Sequence, residues 1–197
     1  MNKPNPKKLT NWIVTALFLV LVAGFSLLGQ PSANAQSLKP SVAAKSAPAS
    51  VTSLAASPTQ SVTANVRRLL ETKECAGCDL SGANLKDANL QTANLEGANL
   101  EEADLERANL QETNLLGANL QGADLGKTNI ARANLQRANL FDADLEKANL
   151  QGANLLGANL QEADLEKTNL TSANIQGANL RGADLEEAIR PEGFTIQ

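Results

Sequence analysis

A period of five residues runs through the chain from Cys75 to Ala188. Every fifth residue from Leu80 to Leu185 is Leu or Ile, with Ala, Thr or Cys two positions earlier and Asn or Asp between them. On an α-helix, which turns about 100° per residue, apolar residues five apart would be spread around the whole helix. On a straight strand, an odd spacing would point successive leucines to opposite faces. The period therefore predicts a chain that turns a corner once per repeat and keeps the aliphatic and the small residue inside.

A second period, of twenty residues, predicts how the corners close into coils. From residue 104 onward, the residue before the Leu is Asp in every fourth repeat and Asn in the others. Four repeats per coil predict a four-sided all-β solenoid with coils about 4.8 Å apart, so that 75–188 makes about five to six coils. We expect Thr113, Thr128 and Thr168, which replace the inner Ala, to bond their hydroxyls to the backbone. The aspartates of this period are Asp104, Asp124, Asp144, Asp164 and Asp184.

The repeat resembles that of the pentapeptide-repeat family, whose motif A(D/N)LXX is present here as ANLKD at 83–87. The resemblance covers 75–188 and implies a right-handed quadrilateral β-helix. The segment LLETKECAGCDLSGANL at 69–85 is similar to the N-terminal motif of exported cyanobacterial members, which lie in the thylakoid lumen or the periplasm. Because this family has many unrelated roles, the resemblance implies a fold more than a function.

The first 35 residues have the features of a signal peptide. Three lysines in the first eight residues precede an apolar run of 17 residues, Trp12 to Leu28. The sequence Ala-Asn-Ala at 33–35 then fits the small-x-small rule, which predicts cleavage after Ala35. No pair of arginines is present there, so general secretion is favoured over the twin-arginine route. The alternative is an uncleaved anchor, because 17 residues lie at the lower edge of a membrane span.

The segments that flank the repeats differ from them in composition and pattern. Residues 36–61 are mostly Ser, Ala, Pro and Thr with few charges, which predicts a flexible linker. Residues 62–74 carry apolar side chains at i, i+4, i+7 and i+8, which predicts a short helix that caps the first coil. Pro191 and Gly193 break the repeat, so 189–197 is predicted to be a C-terminal cap or tail. The apolar positions of the predicted helix are Val62, Val66, Leu69 and Leu70.

The composition argues against catalysis. The chain has 17 basic and 21 acidic residues but no His, which excludes a nucleophile activated by His. No glycine-rich phosphate loop is present. The carboxylates are expected on outer faces, not in a cleft where their pKa values could be tuned. We therefore expect no enzyme activity, no cofactor and no bound metal.

Two cysteines flank the first corner of the repeat region. Cys75 occupies an aliphatic position and Cys78 a small-residue position, so both are expected to point into the first coil. The ends of a turn lie within about 7 Å of each other, close to the range that a disulfide needs. In an oxidising exported compartment this arrangement predicts a disulfide, and the alternative is two buried thiols. A lone CxxC is poor evidence for a zinc site.

The aspartates that recur every twenty residues are expected to stack on one face of the solenoid. Stacked carboxylates could gather Ca²⁺, which prefers oxygen ligands. We favour the alternative that each Asp bonds the local backbone as Asn does, while neighbouring cations relieve the repulsion between carboxylates. The neighbouring acidic residues are Glu106, Glu146, Glu166 and Glu186, and the basic ones are Arg107, Lys127, Lys147 and Lys167.

Three large apolar residues occupy corner positions that are expected to face solvent: Leu116, Phe141 and Leu156. Leu116 and Leu156 are two coils apart on one edge, about 10 Å, and could form a contact strip for a partner. The alternative is that they are single exposed apolar residues, which are ordinary on protein surfaces.

These features predict an exported, monomeric, protein-binding or scaffold module in the thylakoid lumen or the periplasm. Its partner is expected to be another protein and not a nucleic acid, with membrane contact only through an uncleaved leader. The alternative is a DNA mimic, because gyrase-protecting pentapeptide-repeat proteins resemble this chain in fold and acidity. Three features disagree with that alternative: the export signal, a tail after Leu185 too short for dimerisation helices, and Lys and Arg interspersed among the carboxylates.

Overall fold

The computed structural model describes residues 58–194, with their side chains from residue 61 onward. All of these residues belong to the compact unit Thr52–Gln197. The predicted signal peptide, the cleavage after Ala35, most of the predicted linker and the last three residues of the chain lie outside the described residues. Within the described part, no helix is both long enough and apolar enough to cross a membrane.

One helix, α1, precedes the repeats and spans Pro58–Thr72. It begins four residues before the predicted 62 and ends two residues before the predicted 74. The earlier start is compatible with a proline in the first turn, where its missing N–H would have no helical partner. The polar residues that follow the proline carry no apolar period, so the apolar pattern placed the start of the helix too late in the sequence. The helix ends where Lys73 adopts a φ of 63° and donates its N–H to the Leu69 carbonyl at 2.9 Å.

After α1 the chain forms a β-helix built from single parallel bridges, each between one residue and the residue twenty positions later. The bridged segment extends from Glu74 to Ile189, one residue beyond the predicted repeat region at each end. Two backbone hydrogen bonds hold each rung. For example, the Leu100 N–H donates to the Asn119 carbonyl at 2.7 Å, and the Asn119 N–H donates to the Ala98 carbonyl at 2.9 Å. The predicted β-solenoid is confirmed, and its register is the twenty-residue period of the aspartates.

Two residues form each corner, and the second of them has a left-handed backbone. The N–H of the next small residue closes the corner, as when Ala103 donates to the Leu100 carbonyl at 3.1 Å. The φ of the second corner residue lies between 55° and 75° throughout the repeats. Nine corners use Gly there, and fourteen carry a side chain, as at Glu102 with a φ of 55°. This left-handed corner was not predicted, although Gly is confined to that position of the repeat except at Gly126.

The aliphatic and small residues of the repeats fill the interior. The Leu and Ile residues of the repeats are buried from Leu80 to Leu170, and Leu69 of α1 belongs to the same cluster. Fully burying one such side chain contributes about 1.5–3 kcal/mol. The hydroxyls of Thr113, Thr128 and Thr168 donate to the carbonyl 23 residues earlier at 2.9, 2.8 and 2.8 Å. The expected bonds of these buried hydroxyls to the backbone are therefore confirmed.

The last layer of the described interior is less well covered than the first. Ile175, Leu180 and Leu185 are only partly buried, and Ile189 is 58% exposed. A depression of about 900 Å³ opens beside this layer and is bordered on one side by the turn at 191–194. The described part of the predicted C-terminal cap therefore covers the interior incompletely.

Candidate functional site

The outer side of each rung carries Asn or Asp at the bridged position, and these residues stack into columns. The asparagines form hydrogen-bonded ladders: Nδ2 of Asn159 donates to Oδ1 of Asn139 at 2.9 Å, and Nδ2 of Asn139 donates to Oδ1 of Asn119 at 3.0 Å. The same Oδ1 atoms also accept the N–H two residues later, as from Phe141 to Asn139 at 3.3 Å. Asparagine in these columns is explained by the fold alone.

One column, which we call the aspartate column, has no such ladder. Oδ1 of each aspartate accepts the N–H of the residue two positions later at 2.8–3.0 Å, which confirms the expected bond to local backbone. A carboxylate has no donor for its neighbour in the next coil. In the described part of the chain, no aspartate of this column lies within ion-pair distance of a cation. The column consists of Asp104, Asp124, Asp144, Asp164 and Asp184.

The cations beside the aspartate column pair with the neighbouring glutamates instead. Lys147 binds Glu146 at 2.8 Å, and Lys167 forms the same kind of pair with Glu166. The basic residues therefore lie among the carboxylates as expected, but within the described residues their ion pairs are with the glutamates and not with the aspartates of the column. The reason is geometric: the glutamate and the lysine occupy the same corner, whereas the aspartate lies on the flat side between corners.

Glu106 collects the largest group of cations. Lys86 forms an ion pair with it, and Arg107 and Lys127 each approach it at 3.0 Å. Hydrogen bonds, first from Lys86 and then from Lys127, lower the pKa of Glu106 to about 2. The residue before Lys127 at its own corner is Gly126, so Lys127 has no glutamate beside it at that corner and binds Glu106 one coil earlier. A Cβ at Gly126 would lie 3.1 Å from Oδ1 of Asp124, which is tighter than ordinary packing.

Asp144 lies in the middle of the aspartate column. Its pKa is raised above the usual aspartate value, first by burial and then by the charges of Asp124, Asp164 and Glu146, against the hydrogen bond from the Glu146 N–H. Among the described residues, no group of three or more Cys, Asp or Glu side chains has the geometry of a metal site. The column therefore combines like charges with partial burial and without a described counter-ion.

The two cysteines lie at the first corner, below α1. Their Sγ atoms are bonded at 2.04 Å and their Cα atoms are 5.2 Å apart. Both residues are buried in the interior cluster. The oxidised pair therefore closes the first coil next to the helix that covers it.

The three apolar corner residues face solvent only in part, less than expected. Leu116, Phe141 and Leu156 are each half-buried. Coils in a β-solenoid are only about 4.8 Å apart, so the residues one coil above and below cover much of each corner side chain. The residues on both sides of Leu116 in its column are Glu96 and Gln136. This burial by residues twenty positions away cannot be predicted from the corner position alone.

Two sides of the rod, half a coil apart, differ sharply in charge. The side that contains Leu116 and Leu156 carries two acidic and two basic residues, and we call it the neutral side. The side that contains the aspartate column and Phe141 carries fourteen acidic and five basic residues, and we call it the acidic side. The neutral side comprises 91–97, 111–117, 131–137, 151–157 and 171–177, and the acidic side comprises 101–107, 121–127, 141–147, 161–167 and 181–187.

Comparisons with known proteins give a family match and several structural neighbours. Rfr23, a pentapeptide repeat protein of the cyanobacterium Cyanothece 51142, is 32% identical, with a TM-score of 0.47, over 65% of this chain and 98% of its own. HetL, a pentapeptide repeat protein involved in heterocyst differentiation regulation in Nostoc sp. strain PCC 7120, is 31% identical, with a TM-score of 0.39, over 62% of this chain and 74% of its own. A pentapeptide repeat protein of the Arabidopsis thaliana thylakoid lumen is 29% identical, with a TM-score of 0.24, over 57% of this chain and 66% of its own.

No curated protein sequence matches the chain. The family model described as "Pentapeptide repeats (8 copies)" matches the chain in four overlapping segments. They are 78–115, 88–129, 118–157 and 148–186, and together they cover more than half of the chain. Because the match covers more than half of the chain and nearly all of the observed coils, the chain belongs to the pentapeptide-repeat family.

Proposed function

We propose that the chain is an exported, monomeric scaffold that binds another protein through the neutral side and has no enzyme activity. In this proposal the rod is a right-handed quadrilateral β-helix of about five to six coils. Pentapeptide repeats build a regular surface from a backbone that is already fully hydrogen-bonded. What distinguishes one such rod from another is the set of residues on its outer columns and corners.

The observation that carries the proposal is the difference in charge between the two sides. The centres of protein–protein interfaces are depleted in charged residues and enriched in Arg. The neutral side has this composition, with Asn114, Asn134 and Asn154 on its flat surface and Arg132 and Arg137 at its corners. Leu116 and Leu156 add apolar area at one edge of the same side.

Glycine makes that edge open to a partner. The corner residue after Leu116 is Gly117, and the one after Leu156 is Gly157. A Cβ on Gly117 would meet no atom within 4 Å, and one on Gly157 would meet only the Arg137 side chain at 3.9 Å. A partner backbone can therefore approach the two leucines without displacing side chains of this chain.

Export is proposed from the leader-like first 35 residues and from the cysteine pair. A disulfide persists in oxidising compartments such as the periplasm or the thylakoid lumen. Subcellular fractionation tests this part of the proposal. We expect the chain in the periplasmic or lumenal fraction and shortened to begin after Ala35, and its recovery from the cytosol at full length would contradict export.

The binding proposal is tested by using the chain as bait in native extract of the exported compartment. We expect the double variant Leu116→Glu, Leu156→Glu to lose a captured protein by about tenfold or more, because a carboxylate buried at an interface without a partner costs over 1.4 kcal/mol. The matched control is Phe141→Glu on the acidic side. All three substitutions are compatible with the fold, since Glu96 and Glu101 already occupy the same two columns.

The result with the control variant shows whether the partner binds the neutral side or the acidic side. Loss with both leucine substitutions and retention with Phe141→Glu supports the neutral side. Equal loss with Phe141→Glu, or no loss with either variant, contradicts it.

The DNA-mimic alternative has the acidic side in its favour, because that side concentrates negative charge. Against it, Lys127, Lys147 and Lys167 place a cation in successive coils of that side, each paired with a glutamate. A line of phosphates has no such interruptions. Protection of gyrase by the chain in a supercoiling assay would favour this alternative over a protein-binding scaffold.

A further inference from the structure

The aspartate column and the asparagine ladders have the same backbone and the same register. In each ladder an amide N–H of one coil bonds the side-chain oxygen of the coil before it, as between Asn139 and Asn119. In the aspartate column the equivalent contact places two carboxylates about one strand spacing apart, roughly 4.8 Å. A neutral carboxyl group differs from a carboxylate in having one O–H donor, which is what the missing ladder bond requires.

Charged groups surround Asp144 without neutralising it at close range. Asp124 and Asp164 flank it in the coils below and above, and Asp142 and Glu146 flank it along the chain. The cations of the adjoining corner are Lys127, Lys147 and Lys167, and each is held by a glutamate. Asp144 is also half-buried. Protonation relieves both the repulsion between neighbours and the cost of burying a charge.

We propose that the aspartate column is a proton-binding ladder: as the pH falls, Asp144 takes a proton from solvent and donates it in a hydrogen bond to the carboxylate of Asp124 or Asp164. The bond replaces the one that the Asn side-chain amide makes in the other columns. This inference goes beyond the proposed function and depends on neither export nor a partner.

The sign of the effect on stability follows from the direction of the shift. Burial and like charges raise the pKa of Asp144 in the folded chain. A group with a raised pKa binds its proton more readily when folded, so its contribution is complete below the unfolded pKa and is lost as pH rises through the folded pKa. The rod is therefore stabilised by this group on acidification from neutral pH. Glu106 changes the stability at lower pH, because its pKa in the folded chain is lowered to about 2.

The test is guanidinium unfolding of the full chain between pH 7.5 and 4.5. The variant Asp124→Asn, Asp144→Asn, Asp164→Asn supplies the ladder donors at every pH. We expect the unmodified chain to shift its midpoint upward as pH falls. We expect the triple Asn variant to have a higher midpoint than the unmodified chain at pH 7.5 and to show little change with pH.

A second triple variant controls for net charge. It also removes three negative charges, but at exposed positions outside the column: Glu102→Gln, Glu162→Gln, Glu192→Gln. It should keep the upward shift of the unmodified chain. If the control loses the shift as fully as the Asn variant does, overall charge explains the effect and the proposal is wrong.

Titration of the unmodified folded chain gives a test without substitutions. The ¹³C shifts of aspartate side-chain carbons follow each proton, and Asp79 is an internal reference because hydrogen bonds from the Ser81 side chain and backbone lower its pKa. Asp144 should titrate at a higher pH than Asp79 and at a higher pH than aspartate in the unfolded chain. Titration of Asp144 at or below the unfolded value overturns the proposal.

Discussion

The two ends of the described rod have the same kind of interior but different covers. At the N-terminal end, α1 places Leu69 in the interior, where it is fully buried. At the C-terminal end, Leu180 and Leu185 are only partly buried and Ile189 is 58% exposed. The repeat therefore specifies how coils pack on one another, but a cover for an outermost layer has to come from a segment with a different sequence pattern. The following predictions test whether this difference in cover is a difference in stability.

The largest effect is expected from truncating the side chain that covers the first coil. Leu69→Ala should cost about 2–5 kcal/mol, because it removes buried methyl groups and leaves a cavity. The matched variant Leu185→Ala should cost less than about 1 kcal/mol, since much of that side chain is already in contact with water. Urea unfolding of both variants measures the difference. Equal losses would show that the two ends are equally well packed.

A smaller effect is expected from the disulfide at the N-terminal end. Reducing the pair Cys75–Cys78 should lower the free energy of unfolding by up to about 2 kcal/mol, because the closed loop is short. The variant Cys75→Leu, Cys78→Ala restores the residues of the other repeats and should be insensitive to reductant. The comparison of unfolding with and without reductant checks both statements. Two free thiols in the unfolded, unreduced chain would contradict the disulfide.

The smallest effect concerns charge near the two ends. Glu106→Gln should cost about 1 kcal/mol at neutral pH, because it removes the shared partner of exposed cations. The folded pKa of Glu106 is lowered to about 2, so this stabilisation is present above the usual glutamate value and is lost as pH falls towards 2. Glu186→Gln, in the same column near the other end, should change stability by less, since Glu186 forms no ion pair within the described residues. Unfolding of both variants at pH 7, 4 and 2 measures the difference, and an equal acid dependence would contradict the assignment to Glu106.

The interior and the register were predictable because they depend on spacing alone. Few folds bury a leucine at every fifth residue and also stack an aspartate at every twentieth residue. Helix α1 was predictable from Val62 to Leu70, but its first turn was not, because polar residues there carry no period. The positive φ of the corners left only a weak signal, since fourteen corners carry side chains despite the cost of that conformation.

The candidate site was less predictable, because it depends on neighbours that are twenty residues apart. Leu116 and Phe141 were expected to face solvent, and both are half-buried by the coils around them. Lys147 was expected to relieve the repulsion between carboxylates, but the sequence did not show that its partner is Glu146 and not Asp144. In both cases the sequence identifies the residue as a candidate. What the residue contacts depends on the direction of its side chain and on its distance from the next coil.

The sequence by itself determined that this chain forms a β-solenoid, that its aliphatic residues lie inside, and that Asn and Asp form its outer columns. The physical reason is that a strict period leaves one arrangement in which the repeat leucines between the two ends are buried and the backbone groups of successive coils are paired. Only the tertiary structure decided how the outer residues are used. Asp144 between Asp124 and Asp164 lacks the donor that every Asn ladder has, and Glu106 instead holds the nearby cations. Those relations depend on distances of a few ångströms between separate coils, which a one-dimensional period does not contain.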